Sequence, residues 1–283
     1  MKKRFKHIYL ELTNICDRKC SFCPGVKRDR LFMPANEAEN FLVQTAEVSE
    51  AVYFHLQGEP LLHPDFEQIT AFAKNLGLIL KLTTNASHLQ KYSEYLRKGF
   101  FSQINFSIQS LNEVSTNERL RVLNDIADFT EKALTECPEM YINFRWWQNS
   151  PPDVDFFAHK FNIPPEKWLP GNGRHSINIK GRLYCTFDRQ FNWPTTETAK
   201  RINGHQGSCH GLLDHCGILC DGRVVPCCLD HEGILTLGDL HSEKLINILN
   251  SPRSKAISDG FRCNKRIEKL CQNCDFARRF DLK

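Results

Sequence analysis

The chain contains no run approaching the roughly 18 apolar residues that a membrane-spanning helix needs, and its start, MKKRFKHIYL, is not a signal peptide. Charge of one sign is equally scarce: 37 Lys and Arg face 33 Asp and Glu, a formal net charge of +4. The MKKRFK start is the only basic cluster and reads as a solvated lead-in to a first strand, so neither nucleic acid nor a membrane surface is expected as a partner. Internal repeats and low-complexity stretches are missing too. What is abundant is cysteine, 13 in 283 residues. An odd count without a signal peptide argues against a secreted disulfide framework, and a chain that is 41% hydrophobic is long enough to bury a core without staples. A cytoplasmic protein is expected, in which so many thiols bind metal or do chemistry.

Strand-like segments at 7–13, 51–57, 78–84, 103–109, 140–146 and 175–180 alternate with helical patterns. In 65–76 the apolar residues Phe66, Ile69, Phe72, Ala73 and Leu76 recur at helical spacing, and Gly77 supplies the stop. In 116–134 Leu120, Leu123, Ile126, Ala127 and Leu134 follow a capping box made by Ser115 and Glu118. Weaker helices are expected over 36–47, 88–98 and 153–161. This alternation predicts an α/β protein of parallel βα units, either an open sheet or a partial barrel. The strand faces favour the barrel. Tyr53, His55 and Gln57 share one face, as do Asn105, Ser107 and Gln109, and Tyr141, Asn143 and Arg145, each opposed to apolar neighbours. With helices covering the outside, these polar faces converge on a lumen that reads as a reaction chamber. Beyond about residue 181 the pattern changes. Segment 181–208 is irregular and polar, Asp221-Gly222 joins two apolar runs as a hairpin turn, a helix is expected over 242–250, and a Cys-rich tail follows.

Cys16, Cys20 and Cys23 form C-x3-C-x2-C directly after the first strand. At a cysteine frequency of about 1 in 22, chance places this spacing in roughly 3 chains in 100 of this length. Three thiolates on a tight loop suit a cubane iron–sulfur cluster with one iron left open, whereas structural zinc wants four ligands. The run CDRKCSFC after a strand resembles the defining loop of the radical S-adenosylmethionine (SAM) superfamily. The resemblance implies a TIM-like partial (β/α)6 barrel over residues 1–185 and a [4Fe–4S] cluster on Cys16, Cys20 and Cys23, with SAM chelated to its open iron. It also implies reductive cleavage of SAM to a 5′-deoxyadenosyl radical that abstracts hydrogen from substrate, fed by a flavodoxin- or ferredoxin-type electron donor.

Further residues follow from the same resemblance. Phe22, the aromatic residue before the last cysteine, is placed near the adenine. Gln57-Gly58-Glu59-Pro60 is similar to the family's Gly-Gly-Glu-Pro, departing at the first glycine, and assigns Gly58 and Glu59 to the amino group of SAM. Thr84-Asn85-Ala86 stands where the family has Thr-Asn-Gly, which brings Asn85 to the cofactor. Ser107 and Gln109 end strand four, facing the SAM ribose. Arg145, on the same face of strand five, is a candidate for a carboxylate of SAM or of substrate, or for a structural ion pair.

Near the C-terminus, Cys209, Gly222 and Cys227 followed by Cys271-x2-Cys274 resemble the C-x(9–15)-G-x4-C signature of SPASM and Twitch auxiliary-cluster domains. Only DFARRFDLK follows Cys274, so the likeness is to the shorter Twitch form. It implies a small Cys-rich β-hairpin plus helix domain over 186–283, holding a second [4Fe–4S] cluster on Cys209, Cys227, Cys271 and Cys274. A zinc knuckle on the same four ligands is the alternative. Six cysteines are left. Cys137 reads as a small hydrophobe; Cys216 or Cys220 could replace Cys209; Cys228 and Cys263 neighbour the auxiliary site; Cys185 is a candidate hydrogen donor to a substrate radical.

A fully ligated auxiliary cluster carries electrons and cannot bind substrate. The expected function is therefore a net oxidation of a small molecule, with His55 or Glu11 as candidate bases. Strand one begins near residue 7, so no leader-binding domain is expected before it, which favours a small molecule such as a sugar or aminocyclitol, or a peptide delivered by a partner. A peptide maturase or epimerase is the alternative. So is a non-enzymatic iron–sulfur electron carrier or zinc module, against which the three-thiolate loop and Gly58-Glu59-Pro60 speak.

Overall fold

Residues 3–147, 153–168, 175–196 and 204–281 are described by a computed structural model. The first half alternates as expected: β1 (His7–Leu10), α1 (Ala35–Val48), β2 (Ala51–Phe54), α2 (Phe66–Asn75), β3 (Ile79–Thr84), α3 (Leu89–Leu96), β4 (Phe101–Ser107), α4 (Thr116–Glu136), β5 (Tyr141–Trp147) and α5 (Val154–Phe161). Half of the capping box at α4 forms: the Ser115 hydroxyl accepts from the Glu118 amide at 3.3 Å, while the Glu118 carboxylate accepts from Arg18 and Arg121. Then come β6 (His175–Lys180), β7 (Leu183–Asp188), β8 (His215–Ile218), β9 (Arg223–Val225), β10 (Gly238–Asp239), α6 (Leu245–Asn250), α7 (Pro252–Arg262) and α8 (Lys269–Gln272).

Among the described residues the strands form one open ten-stranded sheet, in the order β10-β9-β8-β1-β2-β3-β4-β5-β7-β6. β1 to β5 run parallel, and the sixth parallel strand is β7, which pairs with β5 from Ile142↔Leu183 to Trp147↔Asp188. This corrects the expectation for 175–180. That segment is β6, an antiparallel edge strand folded back on β7 through Gly181 at φ 54°. Both halves of this hairpin alternate in the same way, so periodicity could not say which one joins the barrel. The expected boundary after residue 185 falls inside β7. At the other edge, β8 pairs parallel with β1, from His7↔His215 to Leu10↔Ile218, so the C-terminal segment extends the barrel's own sheet. The Asp221-Gly222 hairpin turns over four residues, with Gly222 at φ 81° donating to Leu219.

The outward strand faces make the core. Ile104, Phe106, Ile142 and Phe144 are fully buried under the helices, with Phe144 packed on Phe157 at 4.6 Å between ring centroids. The inward faces carry a polar ladder. The Asn105 amide donates to the Leu82 carbonyl at 3.0 Å and to the Tyr53 hydroxyl, Asn143 donates to Asn105 at 3.1 Å, and Thr186 donates to Asn143 at 2.9 Å. These residues line a cavity of about 930 Å³ that runs through the lumen. The helix expected over 242–250 is α6, and α7 starts directly after it because Pro252 ends α6 and opens α7.

The C-terminal tail is tied down by Arg266, which is 0% exposed and donates to the carbonyls of Gln206, Ser208 and Ala277 and to Asp281. Arg266→Ala leaves those acceptors without a buried donor. It is expected to cost about 3 kcal/mol, read by urea unfolding of the metal-free chain.

Candidate active site

The loop after β1 carries Cys16, Cys20 and Cys23, and all three residues line the lumen. The loop is shaped by its own hydrogen bonds: the Cys23 amide donates to the Cys20 carbonyl at 3.0 Å, and the Ser21 amide to Glu113 at 2.9 Å. Phe22 sits edge-on to Trp147, 5.8 Å between centroids, and its carbonyl accepts from the Trp193 indole at 2.9 Å. Trp193 carries no signal in the sequence, because it lies in an irregular segment with no motif.

The loop after β2 is conformationally demanding. Leu56 has φ 135° and Gly58 φ 71°, both in the region that favours glycine. A Cβ on Gly58 would lie 2.2 Å from the Thr13 carbonyl oxygen, so only glycine lets this loop close against the cysteine loop. Gln57, the departure from the family motif, instead accepts from the Cys23 thiol at 3.3 Å. Glu59 is 1% exposed and accepts from the Thr84 hydroxyl at 2.6 Å, the Asn85 amide at 2.6 Å and the Leu61 amide at 3.1 Å. A carboxylate has about four acceptor positions, so one is left toward the cavity that Glu59 lines. Burial raises its pKa to about 7.

Asn85 is a clamp more than a free ligand. Its side chain donates to Asp17 at 2.9 Å and lies 3.6 Å from the Cys16 sulfur, while accepting from the Ser87 amide at 2.8 Å. Next to it Ala86 takes φ 64°, the left-handed conformation that the family's glycine would adopt. Ser107 faces the lumen from the end of β4, and Gln109 from the 3-10 turn that follows. The Gln109 Oε1 is buried without a hydrogen-bond partner among the described residues. Arg145 faces the same space from β5. The seven residues proposed for SAM thus share one cavity with the three cysteines.

Cys209, Cys227, Cys271 and Cys274 line this cavity as well, from the other side. Beyond burial, the charges that raise the Cys227 pKa are those of Cys228, Cys209, Cys271 and Cys274, so the four candidate auxiliary ligands and one extra thiol stand together. No three His, Cys, Asp or Glu among the described residues are gathered on a point that would hold a single metal ion. Thiols spread around a shared space suit a polynuclear cluster, in which each thiolate binds a different iron. Burial pushes the Cys16 and Cys274 thiols up to about 12, a penalty that a cationic iron centre would invert. The residues present therefore fit both groups.

The remaining cysteines separate cleanly. Cys185 is 0% exposed on the outer face of β7, packed in the core, and does not reach the chamber. Alternation along the strand turns Tyr184 and Thr186 inward and Cys185 out. Cys228, one residue after a candidate ligand, lines the cavity instead. Cys216 is buried in the core beside β1, Cys220 lies 3.5 Å from an Arg28 nitrogen, Cys137 donates to the Arg97 carbonyl at 2.8 Å, and Cys263 is exposed at the end of α7.

Glu11 is no base. It is 1% exposed, and its carboxylate accepts from Arg28 at 2.7 and 2.8 Å, from the Gln57 amide at 3.2 Å and from the Cys220 amide at 2.9 Å. Arg28 in turn donates to the His231 carbonyl at 2.7 Å. His55 does face the chamber, but burial and the Arg145 charge lower its pKa to about 3, which makes it a hydrogen-bonding wall at neutral pH.

A parallel barrel with three cysteines on its first loop and a cysteine-bearing C-terminal segment at its edge is the arrangement of an iron–sulfur enzyme. A family model for the radical SAM superfamily matches residues 10–143, and one for the SPASM iron–sulfur cluster-binding domain matches residues 209–275. The chain belongs to the radical SAM superfamily and carries a C-terminal SPASM domain. These domains imply a [4Fe–4S] cluster with SAM in the first and auxiliary iron–sulfur binding in the second. The chain is 27% identical over 308 residues to a probable GTP 3′,8-cyclase of Methanococcus maripaludis strain C5, covering 95% of this chain and 97% of that one. Against the probable GTP 3′,8-cyclase of strain S2 it is 28% identical over 123 residues, 40% of this chain and 39% of that protein. The matched part spans only 33% to 39% of the first curated relatives. Its fold is similar to BtrN in complex with AdoMet and 2-DOIA, with a TM-score of 0.56 at 15% identity over 97% of this chain and 94% of that one. It is also similar to Streptococcus suis SuiB bound to precursor peptide SuiA, with a TM-score of 0.63 at 15% identity over 97% and 73%. No helix among the described residues is long and apolar enough to cross a membrane.

Two expectations follow. Glu11→Gln leaves the buried Arg28 charge only the longer ion pair to Asp221 at 3.7 Å and should cost about 3 kcal/mol in urea unfolding, with loss of reconstitutable iron. Glu59 has its folded pKa raised from 4.5 to about 7, so its contribution is full below pH 4.5 and is lost as pH rises through 7. The metal-free protein should therefore lose stability across that window, by about 3 kcal/mol in the limit. Glu59→Gln should flatten the profile in denaturant melts taken at a series of pH values.

Proposed function

We propose that the protein uses SAM and two [4Fe–4S] clusters to remove hydrogen from a small organic substrate, as a net oxidation. The reading rests on one observation: the three-thiol loop and the four-thiol group open on the same cavity. When bound, SAM and its cluster supply one-electron hydrogen abstraction, and the auxiliary cluster supplies a nearby one-electron acceptor. The first cluster would be held by Cys16, Cys20 and Cys23, and the auxiliary one by Cys209, Cys227, Cys271 and Cys274. Glu59 accepts the ammonium of SAM through its remaining acceptor position, and Gly58 lets the backbone come close enough. The orphaned Gln109 Oε1 accepts a ribose hydroxyl beside Ser107, and Phe22 with Trp147 offers an apolar edge for the adenine. We place the functional boundary after Asp188, so that β7 belongs to the barrel. A flavodoxin- or ferredoxin-type protein would supply the reducing electron.

A second reading, radical epimerisation of a peptide, is favoured by Cys228, a thiol on the cavity wall positioned to return a hydrogen atom to a substrate carbon. The SuiB–SuiA likeness supports a barrel of this shape admitting a peptide, and the BtrN likeness a small molecule.

Anaerobic reconstitution should give about eight irons per chain and 5′-deoxyadenosine on addition of dithionite and SAM. Joint replacement of Cys16, Cys20 and Cys23 by Ala should halve the iron and abolish 5′-deoxyadenosine. Replacing Cys271 and Cys274 should halve the iron and leave SAM cleavage in place. Cleavage unaffected by the first set of replacements would defeat the enzyme reading, and about four irons in the unaltered protein would remove the auxiliary cluster.

A further inference from the structure

The acidic groups that line the chamber are all engaged. Glu59 accepts three hydrogen bonds, Asp188 pairs with Arg279, Asp214 pairs with Lys6 and His210, and Asp230 accepts from the amides of Ile234 and Leu235. Arg145 differs. It faces the cavity from β5, and among the described residues its guanidinium makes no hydrogen bond and no ion pair. Tyr9, Tyr53 and His55 pack on one another as one patch, with ring centroids 5.5, 5.9 and 6.0 Å apart, and line the same cavity as Arg145 and Cys228; the Arg145 charge acts on all four. A second orphan adjoins the patch: His7 Nε2 is buried without a partner, and its ring meets Tyr9 edge-on at 4.7 Å. Burial lowers His7 to about 4 and His55 to about 3, so neither adds a competing charge at neutral pH.

We propose that this patch is an anion subsite for the substrate: Arg145 takes a carboxylate or phosphate of the substrate, with the Tyr9 and Tyr53 rings as the wall beside it. A partly desolvated guanidinium with no protein acceptor is matched by a planar or tetrahedral oxyanion, which it can bind through two parallel hydrogen bonds. The Tyr53 hydroxyl is engaged by Asn105 and Thr83 and the Tyr9 hydroxyl by Cys228, so the guanidinium is the group left for the anion. The position argues against the carboxylate of SAM as occupant. Tyr9 and Tyr53 are register partners within β1 and β2, earlier on those strands than the loops of Cys16 and Gly58 at the strand ends where SAM is expected. The inference rests on the chamber being the reaction site, and it adds that the substrate carries negative charge on a group away from the reacting carbon.

The test titrates the reconstituted protein, saturated with SAM, with benzoate, phenyl phosphate and neutral benzamide, three probes that share one ring. At least one anion should bind saturably and at least tenfold more tightly than benzamide; which anion wins separates a carboxylate from a phosphate substrate. Arg145→Gln should lose at least tenfold in anion affinity while its SAM affinity changes less than threefold, and Arg145→Lys should keep part of the anion binding. Because Arg145 has no described partner to orphan, the Gln variant is expected to fold; near-wild-type melting and iron content check this. Should it not fold, the Lys variant alone decides, since it must bind anion more weakly than wild type with SAM affinity unchanged. Anion binding equal to that of benzamide, or anion binding unchanged in the variants, overturns the proposal. A tenfold loss of SAM affinity with anion binding intact also overturns it, and assigns Arg145 to SAM. The probe titration does not depend on catalysis, so absence of 5′-deoxyadenosine would count against the enzyme reading alone.

Discussion

The carboxylate of Glu11 is the point at which the site's loops are fastened to one another. It stands at the end of the first strand, almost wholly out of water, and such a charge is tolerable only with full compensation. Arg28, from beyond the cysteine loop, grips it with paired hydrogen bonds; the Gln57 amide ties in the glycine loop, and the Cys220 amide ties in the hairpin of the C-terminal segment. Each partner comes from an element that carries candidate cofactor residues. The distance between the two cysteine groups is therefore set through one buried ion pair and its amide donors, whose directional bonds resist the sliding that apolar packing alone would allow.

The rest of the site follows from the sheet. Parallel strands deliver their C-terminal ends to the same rim, so the loops after β1, β2 and β3 converge there. Pairing of β8 with β1 places the SPASM segment on that sheet, which is how a chain so short brings a second thiol group to the lumen. The interior is polar because alternate residues of each strand must point there while their neighbours bury against helices, and the Asn105–Asn143–Thr186 ladder satisfies those groups internally. What it leaves without a partner among the described residues, the Gln109 oxygen and the His7 nitrogen, is what a ligand can use, and Arg145 faces the same cavity.

Much of this was legible beforehand. Helical spacing located α2 and α4, strand alternation identified the inward faces of β2, β4 and β5, and cysteine spacing separated two thiol groups that the fold brings to one cavity. The failures have physical causes. Segments 175–180 and 183–188 are both strand-like, and which one joins the parallel sheet depends on pairing energy with β5, which alternation does not encode. Cys185 reads as a chamber thiol until the strand phase turns it outward, and Cys228, read as a neighbour of the auxiliary site, lines the cavity. Glu11 looked like a base because isolation in a chamber and burial under Arg28 read the same in a string of letters. Trp193 had no signal at all.

Local spacing is a property of covalent neighbours, so the C-x3-C-x2-C loop, the Gly58-Glu59-Pro60 turn and the C-terminal cysteine set follow from the order of residues, and with them the family and its cofactor chemistry. Long-range pairing is a property of the folded sheet. It chose β7 over β6, seated β8 on β1, locked Glu11 to Arg28 across the site and left Arg145 facing the chamber without an acid. These outcomes depend on which side chains meet after closure, and contacts between residues distant along the chain have no local spacing to announce them.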